Sequence, residues 1–175
     1  MLNRVITEEK ALKKLSALCA KGEHSTGEAD AKMRQWGLEA HARARVIAKL
    51  VNAKFIDDRR FATFFIHDKI KFNHWGRRKI EVSLRQKGVD SQIIAEALDE
   101  VPDSEYLEIL RPMIKSKIET TKAATDYERA MKTIKWAAGR GFSLELIRQC
   151  IDSADEYSDA EGDESPEEAL LVPHP

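Results

Sequence analysis

The sequence of 175 residues is poor in cysteine, proline and glycine, and it has no long apolar run. Its two cysteines, Cys19 and Cys150, cannot build a disulfide framework and do not have the spacing of a metal site. Both fall at apolar positions of helical patterns, so we expect buried, reduced thiols. No stretch reaches the roughly 18 apolar residues of a membrane-spanning helix, and the first residues lack the apolar segment of a secretion signal. These absences predict a cytoplasmic protein that makes no membrane contact.

Enzyme motifs are missing as well. The chain has no phosphate-binding loop of the GxxxxGK[ST] type, and its five histidines form no HExxH pattern. The acidic pair Asp57-Asp58 has no third ligand at a useful spacing, and helix N-capping accounts for both carboxylates. Ser25 and Ser143 also fit helix caps. We therefore predict a protein that is not an enzyme, with no catalytic residue, no metal site and no cofactor.

A helix that closes at a glycine occurs three times, at Gly37, Gly88 and Gly141, with spacings of 51 (88 − 37) and 53 (141 − 88) residues. The apolar residues after the last two glycines keep the same gaps: Val89, Ile93, Ile94 and Leu98 correspond to Phe142, Leu146, Ile147 and Ile151. A near-constant period of this length indicates stacked copies of one supersecondary unit. The predicted fold is all-α, with three tandem three-helix modules, similar to helix-turn-helix units, in an elongated array.

Caps, glycines and prolines place the boundaries of these modules. The predicted organisation is module 1 at 1–56, module 2 at 57–102, module 3 at 103–152 and an acidic tail at 153–175. The tail carries eight acidic residues and no lysine or arginine. We expect it to be disordered and to compete electrostatically with the partner of a basic module.

Apolar patterns predict which helix faces are buried. The first helix of module 2 has an apolar stripe of Phe61, Ala62, Phe65 and Phe72. The second helix of module 3 has a predicted inner stripe of Tyr127, Ala130, Met131, Ile134, Ala137 and Ala138. Trp136 then falls on the opposite face, free for a contact, although packing within its own module or on a neighbouring one is the alternative. Trp36 and Trp75 are expected to anchor the core, with a hinge contact beside Gly76 as the alternative for Trp75.

The residues before the tail form a basic body. They hold all 29 basic residues and 22 (30 − 8) acidic ones, a net charge of +7 (29 − 22). Such an asymmetry predicts a polyanionic partner. The candidate contacts for phosphate or an acidic protein surface are Arg60, His67, Lys69, Lys71, Arg77, Arg78, Lys79, Arg85 and Lys87 in module 2, and Arg129, Lys132, Trp136 and Arg140 in module 3. The alternative is that they form solvated helix faces.

Several motifs in order resemble one family. The stretch Phe55-Ile56-Asp57-Asp58-Arg59-Arg60-Phe61-Ala62 resembles the signature that joins the first two modules of the RecX family of bacterial regulatory proteins. Similar stretches are Glu23-His24-Ser25 with Glu28, the run Gly76-Arg77-Arg78-Lys79-Ile80 continuing to Leu84, Lys87, Gly88 and Val89, and Arg140-Gly141-Phe142-Ser143. The resemblance covers about residues 10–152. Ala29 and Ala137 are smaller than the leucines usual in the family, and the acidic tail is not a family feature.

The resemblance implies a modulator of RecA. Proteins of this family are curved arrays of three-helix modules that lie along the RecA–DNA filament and restrain its recombinase, ATPase and coprotease activities. The implied partner is therefore the RecA filament, with single- or double-stranded DNA as a further partner of the basic face, and the implied role is in DNA repair and the SOS response. We expect a monomer. The alternatives are a helical DNA-binding protein that needs no RecA, and an adaptor for another protein.

Overall fold

The computed structural model describes residues 6–160 and, for side chains, residues 6–153. Within that range the chain forms nine α-helices and no strand. The helices are α1 (Glu8–Cys19), α2 (Thr26–Gln35), α3 (Ala40–Asn52), α4 (Asp58–Lys71), α5 (Arg77–Gln86), α6 (Ser91–Asp99), α7 (Asp103–Thr120), α8 (Asp126–Gly139) and α9 (Leu144–Ala160). The first and third helices of each consecutive group of three pack together, and the second rests on the third. The predicted all-α tandem array is thus confirmed.

Side-chain caps set the starts of several helices. Thr7, Ser25, Asp57, Asp90 and Thr125 each accept a hydrogen bond from a backbone N–H of the first turn that follows. Such a cap contributes about 1 kcal/mol, because it satisfies a donor that the helix itself leaves free. The caps depend on neighbouring residues alone, which is why the sequence predicts them.

The three repeated glycines have left-handed backbone conformations. The φ angles are 81° at Gly37, 74° at Gly88 and 95° at Gly141. At each turn, the N–H of the residue after the glycine donates to the carbonyl five residues earlier, as in Leu38 N–H to Met33 O. This is the Schellman arrangement, in which a residue without a Cβ closes the helix at little cost. The repeat seen in the sequence is therefore a repeat of one helix ending.

The apolar residues form two separate cores. Module 1 has its own cluster, which includes Leu15, Met33 and Leu50. Modules 2 and 3 share one larger cluster, and α4 packs against α7. Modules 2 and 3 therefore have a common hydrophobic core, whereas module 1 has a core of its own and is attached to module 2 by contacts outside both cores.

The modules join through two junctions of the same kind. At each junction the N-terminus of a second helix meets the backbone of the next module's glycine turn. In junction 1, between modules 1 and 2, the Ser25 hydroxyl donates to Lys87 O at 2.5 Å, and a Cβ built on Gly27 would lie 2.5 Å from Gly88 Cα. In junction 2, between modules 2 and 3, Gly76 N–H donates to Arg140 O at 2.8 Å and Arg78 N–H donates to Gly141 O at 3.1 Å. Backbones this close leave no room for a side chain.

Junction 1 carries additional polar contacts. Asp58 accepts from Thr26 N–H at 2.8 Å and from the Thr26 hydroxyl at 2.6 Å, so it caps a helix of module 1 from module 2. Lys87 pairs with Glu28 at 2.8 Å. The family signature is thereby explained in part, since Asp57 caps its own helix and Asp58 ties the two modules together.

The charge of Glu28 makes junction 1 sensitive to acid. Burial favours the neutral acid, but hydrogen bonds from Lys87, Ser25 N–H and His24 outweigh it and lower the pKa of Glu28 below its ordinary 4.5. A depressed carboxyl pKa stabilises the fold above the ordinary value, and this stabilisation is lost as the pH falls through the folded-state pKa. We expect Glu28→Gln to lower hydrogen-exchange protection of Thr26 N–H at pH 7, with the difference from the native chain vanishing in acid.

The matched control for that measurement is Glu128→Gln. Glu128 occupies the position in the α8 cap that Glu28 occupies in the α2 cap. It also has a lowered pKa, because Lys132 and Ala124 N–H donate to it. Glu128 lies far from junction 1 in the chain. It should leave Thr26 protection unchanged. Native protection at pH 7 in Glu28→Gln would show that Lys87 and Glu28 do not couple the modules.

The structure corrects three expectations about helix faces. Tyr127 and Met131, predicted to face inward on α8, are 76% and 46% exposed. Trp136, predicted to face outward, is half-buried and packs against the shared core, which agrees with the alternative that it packs within its own module or on a neighbouring one. The reason is that α8 approaches its neighbours through the smaller Thr133 and Ala137, both fully buried. Phe72 is 70% exposed because it follows the last turn of α4 and extends beyond the core.

The last helix also differs from the prediction. It continues to Ala160, eight residues (160 − 152) beyond the expected end at Asp152. The chain is therefore helical over the first part of the predicted tail. The remaining predicted disorder falls on residues 161–175, which lie outside the described residues.

Candidate partner interface

Ion pairs separate the thirteen predicted contact residues into two groups. Eight of them have an acidic partner: Arg60 with Glu23, His67 with Glu105, Lys69 with Asp68, Arg77 with Asp99, Arg85 with Glu81, Lys87 with Glu28, Arg129 with Asp126 and Lys132 with Glu128. Arg60 and Lys87 belong to junction 1, where the pairs join the first two modules. A cation that is already paired has less attraction for an external anion.

Lys69 and the predicted cations of module 2 that make no such pair gather where α4 ends and α5 begins. We call Lys69, Lys71, Phe72, Trp75, Arg78 and Lys79 the turn cluster. Two lysines lie near the Trp75 ring, with Lys79 Nζ 4.6 Å and Lys69 Nζ 5.6 Å from the ring centroid. Lys71 Nζ lies 5.5 Å from the Phe72 ring. Ammonium groups within about 6 Å of an aromatic face are attracted by its quadrupole, which holds these long side chains in place.

The turn cluster is electropositive and open to solvent. Lys71, Arg78 and Lys79 are exposed and make no ion pair within the described residues, while Lys69 has only Asp68 nearby at 3.4 Å. Exposed cations beside aromatic rings can bind phosphates and stack on bases or on the apolar rim of an acidic protein surface. The chemistry available here is therefore binding of an anionic partner.

Local backbone geometry places the cluster. His74 adopts a left-handed φ of 53°, and Trp75 N–H donates to Lys69 O at 3.1 Å, which turns the chain sharply after α4. Gly76 then caps α5 while its N–H is held in junction 2. The turn cluster is thus fixed to the contact between modules 2 and 3.

A second group of cations and an aromatic ring continues this surface into module 3. Trp136 has Lys117 Nζ at 5.2 Å and Arg140 Cζ at 5.4 Å from its centroid. Arg140 also reaches the α4–α5 turn, where its Nη2 donates to Asn73 O at 3.5 Å. Of the predicted module 3 residues, Trp136 and Arg140 lie together, whereas Arg129 and Lys132 are paired nearer the start of α8.

Sequence reasoning missed one aromatic residue of the turn cluster. The helix pattern places Phe72 in the buried stripe of α4, but its side chain is exposed. Trp75 packs against the shared core as predicted, and its ring also lies beside two lysines. The signal was present, since both rings flank the His74 turn and lie within four residues of Lys71 or Lys79. The apolar pattern of a helix does not identify such residues, because it shows which face of the helix is apolar but not how far along the helix the core extends.

An open groove of about 640 Å³ lies beside junction 1, between α2, α3 and Gly88, and is lined mainly by small and aliphatic residues such as Ala44, Ile47 and Val51. Among the side chains that the structure describes, no three His, Cys, Asp or Glu residues meet as a metal site. None of the helices within residues 6–160 is long and apolar enough to cross a membrane.

Comparison with known proteins identifies the family. Residues 57–98 match the profile of the second three-helix domain of RecX, and residues 103–151 match that of the third. The regulatory protein RecX of Chlorobaculum tepidum is 30% identical over 128 residues, which cover 73% of this chain and 78% of the relative. The regulatory protein RecX of Lactobacillus johnsonii is 30% identical over 123 residues, which cover 70% of this chain but only 45% of that longer relative.

Solved structures agree with this relationship at the level of fold. The crystal structure of RecX from Lactobacillus salivarius superposes with a TM-score of 0.79 at 19% identity, over 85% of this chain and 97% of that chain. A second crystal structure of a regulatory protein RecX gives a TM-score of 0.76 at 19% identity, over 83% of this chain and 73% of that chain. With both domain profiles in order, a relative matched over most of its length and the same tandem helical fold, the chain belongs to the RecX family of regulatory proteins.

Proposed function

We propose that this protein binds RecA–DNA filaments and restrains the recombinase, ATPase and coprotease activities of RecA, and so regulates DNA repair and the SOS response. Membership of the RecX family supports this role. The observation on the molecule that carries it is the turn cluster, where Lys71, Arg78 and Lys79 are exposed with no acidic partner among the described residues. A RecA–DNA filament offers such a surface phosphates together with protein.

The two junctions suit a filament as the partner. Backbone contacts that exclude side chains hold the modules in fixed succession, so that contacts made by one module raise the effective concentration of the next. A repeating partner presents equivalent surfaces to successive modules. In this mechanism the protein restrains RecA by occupying several filament sites at once, and no chemical step by its own residues is needed.

A DNA-binding protein independent of RecA is the second candidate. The same free cations of the turn cluster support it, because they would contact phosphates of any strand. Sequence readout finds less support, since α8 contains no Asn or Gln and α5 has a single Gln, Gln86, in its last turn, whereas adenine is typically read by Asn or Gln. If the protein were an adaptor that binds no nucleic acid, an acidic protein surface would be the only ligand for the unpaired cations of the turn cluster.

The test is RecA's DNA-dependent ATPase, measured with this protein at substoichiometric and stoichiometric ratios. We expect the rate to fall without hydrolysis of ATP by the protein alone. The triple variant Lys71→Ala/Arg78→Ala/Lys79→Ala should need several-fold more protein for the same inhibition. Its inhibition should also depend less steeply on salt, because log K falls with log salt in proportion to the number of phosphates neutralised.

The matched control is Arg85→Ala/Arg129→Ala/Lys132→Ala, which removes the same charge from cations that are already paired. It should inhibit nearly as well as the native chain. Equal losses in the two variants would assign the effect to net charge and not to the turn cluster. Unchanged ATPase at several-fold excess would refute RecA as the target, and binding of free DNA would then favour the second candidate.

A further inference from the structure

The outward face of α8 is apolar without a covering element in the described chain. Tyr127, Met131 and Ala138 are exposed and Ile134 is half-buried, at helical spacings of four, three and four residues (131 − 127, 134 − 131, 138 − 134). These four residues, the outer stripe of α8, therefore share one face. Exposed apolar residues that are contiguous in this way mark a binding surface more often than scattered ones do.

The equivalent helices of the other modules do not have this stripe. Shifted by the repeat spacing of 53 residues (141 − 88), its positions in α5 and the turn before it are His74, Arg78, Glu81 and Arg85. Shifted by 104 residues (141 − 37), they become Glu23, Gly27, Asp30 and Arg34 in and before α2. In both modules the start of this helix is covered by the next module, through junction 2 and junction 1. Within the described residues no further module packs on the start of α8, and the apolar stripe occurs in this module alone.

The segment that does follow module 3 has a matching composition. Residues 161–175 contain five acids, Glu161, Asp163, Glu164, Glu167 and Glu168, and no lysine or arginine. The aliphatic run Leu170-Leu171-Val172 follows Glu167 and Glu168 after one alanine, Ala169. On α8, Lys135 is exposed, directly follows Ile134 of the outer stripe and makes no ion pair within the described residues. Lys132 is also exposed, directly follows Met131 and pairs with Glu128. The aliphatic run of the segment thus matches the apolar outer stripe, and its acids match the lysines of α8.

Chain length permits this contact. The helix α9 starts just after the turn that follows Ala138 and has 17 residues, a length of about 25 Å at 1.5 Å per residue. The ten residues from 161 to 170 can extend to roughly 33 Å. The segment can therefore return along α9 to the outer stripe.

We propose that Leu170, Leu171 and Val172 dock on the outer stripe of α8, with Glu167 and Glu168 facing Lys132 and Lys135. The C-terminal segment then takes the place that a next module would occupy. It covers an apolar surface and neutralises cations of module 3, which lowers the attraction of this module for an external anion. Because the segment is tethered, its effective concentration at α8 is on the order of millimolar.

Oxidation of Met131 by hydrogen peroxide in the full chain, followed by mass spectrometry, tests the docking. We expect Leu170→Asp/Leu171→Asp to raise the oxidation rate of Met131 several-fold, because the docked segment would shield its sulfur. Met33 and Met113 provide internal controls, since Met33 is buried in module 1 and Met113 is half-buried on α7, away from the outer stripe. Equal rates at Met131 in the native chain and the double variant would overturn the proposal.

Two further arms separate docking from its alternatives. Lys132→Glu/Lys135→Glu should also expose Met131, since it places like charges opposite Glu167 and Glu168. Protection of Met131 should be independent of protein concentration if the segment docks on its own chain. Protection that grows with concentration would reject the intramolecular contact in favour of a second copy. The outcome is independent of any effect on RecA.

Discussion

Replacement of Gly141 by alanine is expected to lower the free energy of unfolding by about 3 kcal/mol or more. Two costs combine. Gly141 has a φ of 95°, and an L-residue in left-handed conformation costs about 1–2 kcal/mol. The new Cβ would also lie 2.5 Å from the backbone nitrogen of Lys79, so junction 2 must open to admit it. Modules 2 and 3 share one core, so urea denaturation followed by circular dichroism should show their transition at lower urea.

The control is two residues away. Gly139 ends α8, and a Cβ there meets nothing within 4 Å. Alanine favours the helix over glycine by up to about 1 kcal/mol, so Gly139→Ala should unfold at the same urea concentration as the native chain or slightly above it. If Gly141→Ala matched Gly139→Ala, the close backbone approach at junction 2 would be refuted.

Gly27→Ala is expected to separate module 1 from the rest of the array while every module stays folded. Gly27 lies inside α2 without a left-handed φ, so alanine there strengthens the helix itself. The added Cβ would be 2.5 Å from Gly88 Cα, and relief requires the two backbones to move apart. That movement breaks the bond from Ser25 to Lys87 O and those from Thr26 to Asp58.

Hydrogen exchange and small-angle scattering would show this separation. We expect lost protection at Thr26 N–H, unchanged protection of amides that surround the module 1 core, and a larger radius of gyration. Gly22→Ala is the matched control, because a Cβ on Gly22 has no neighbour within 4 Å. Global loss of protection in module 1 would mean instead that its core cannot remain folded without junction 1.

The same variant tests whether coupling between modules matters for regulation. If the proposed action on RecA depends on fixed modules, Gly27→Ala should inhibit the ATPase more weakly although its turn cluster is intact. Full inhibition by this variant would place the necessary contacts within modules 2 and 3 alone.

Local features of this fold followed from the sequence because they depend on residues a few positions apart. The caps at Ser25, Asp57 and Thr125 need only an oxygen and an N–H two or three residues later. The left-handed turns need a glycine at the end of a helix, and the regular spacing of these glycines predicted the repeat. The motif around Asp57-Asp58 pointed to the family, which the two domain profiles and the relatives confirmed.

The candidate interface was harder to predict from the sequence. The sequence indicated a basic module 2, but Lys71 and Arg85 look alike in it, and only distances to acids on other turns or helices separate the free cation from the paired one. The contact role of all thirteen residues stays a prediction.

The sequence by itself determined the helices, the endings that close at a glycine, the threefold repeat and the family, since each rests on short-range hydrogen bonding or on a motif along the chain. It did not determine where α9 ends. Tertiary structure decided which face of α8 turns inward, because the small Thr133 and Ala137 allow close packing that the larger Tyr127 and Met131 do not. It also decided which cations remain free, because Lys87 finds Glu28 across 59 residues of chain. Partners so distant in sequence meet only once the modules are stacked.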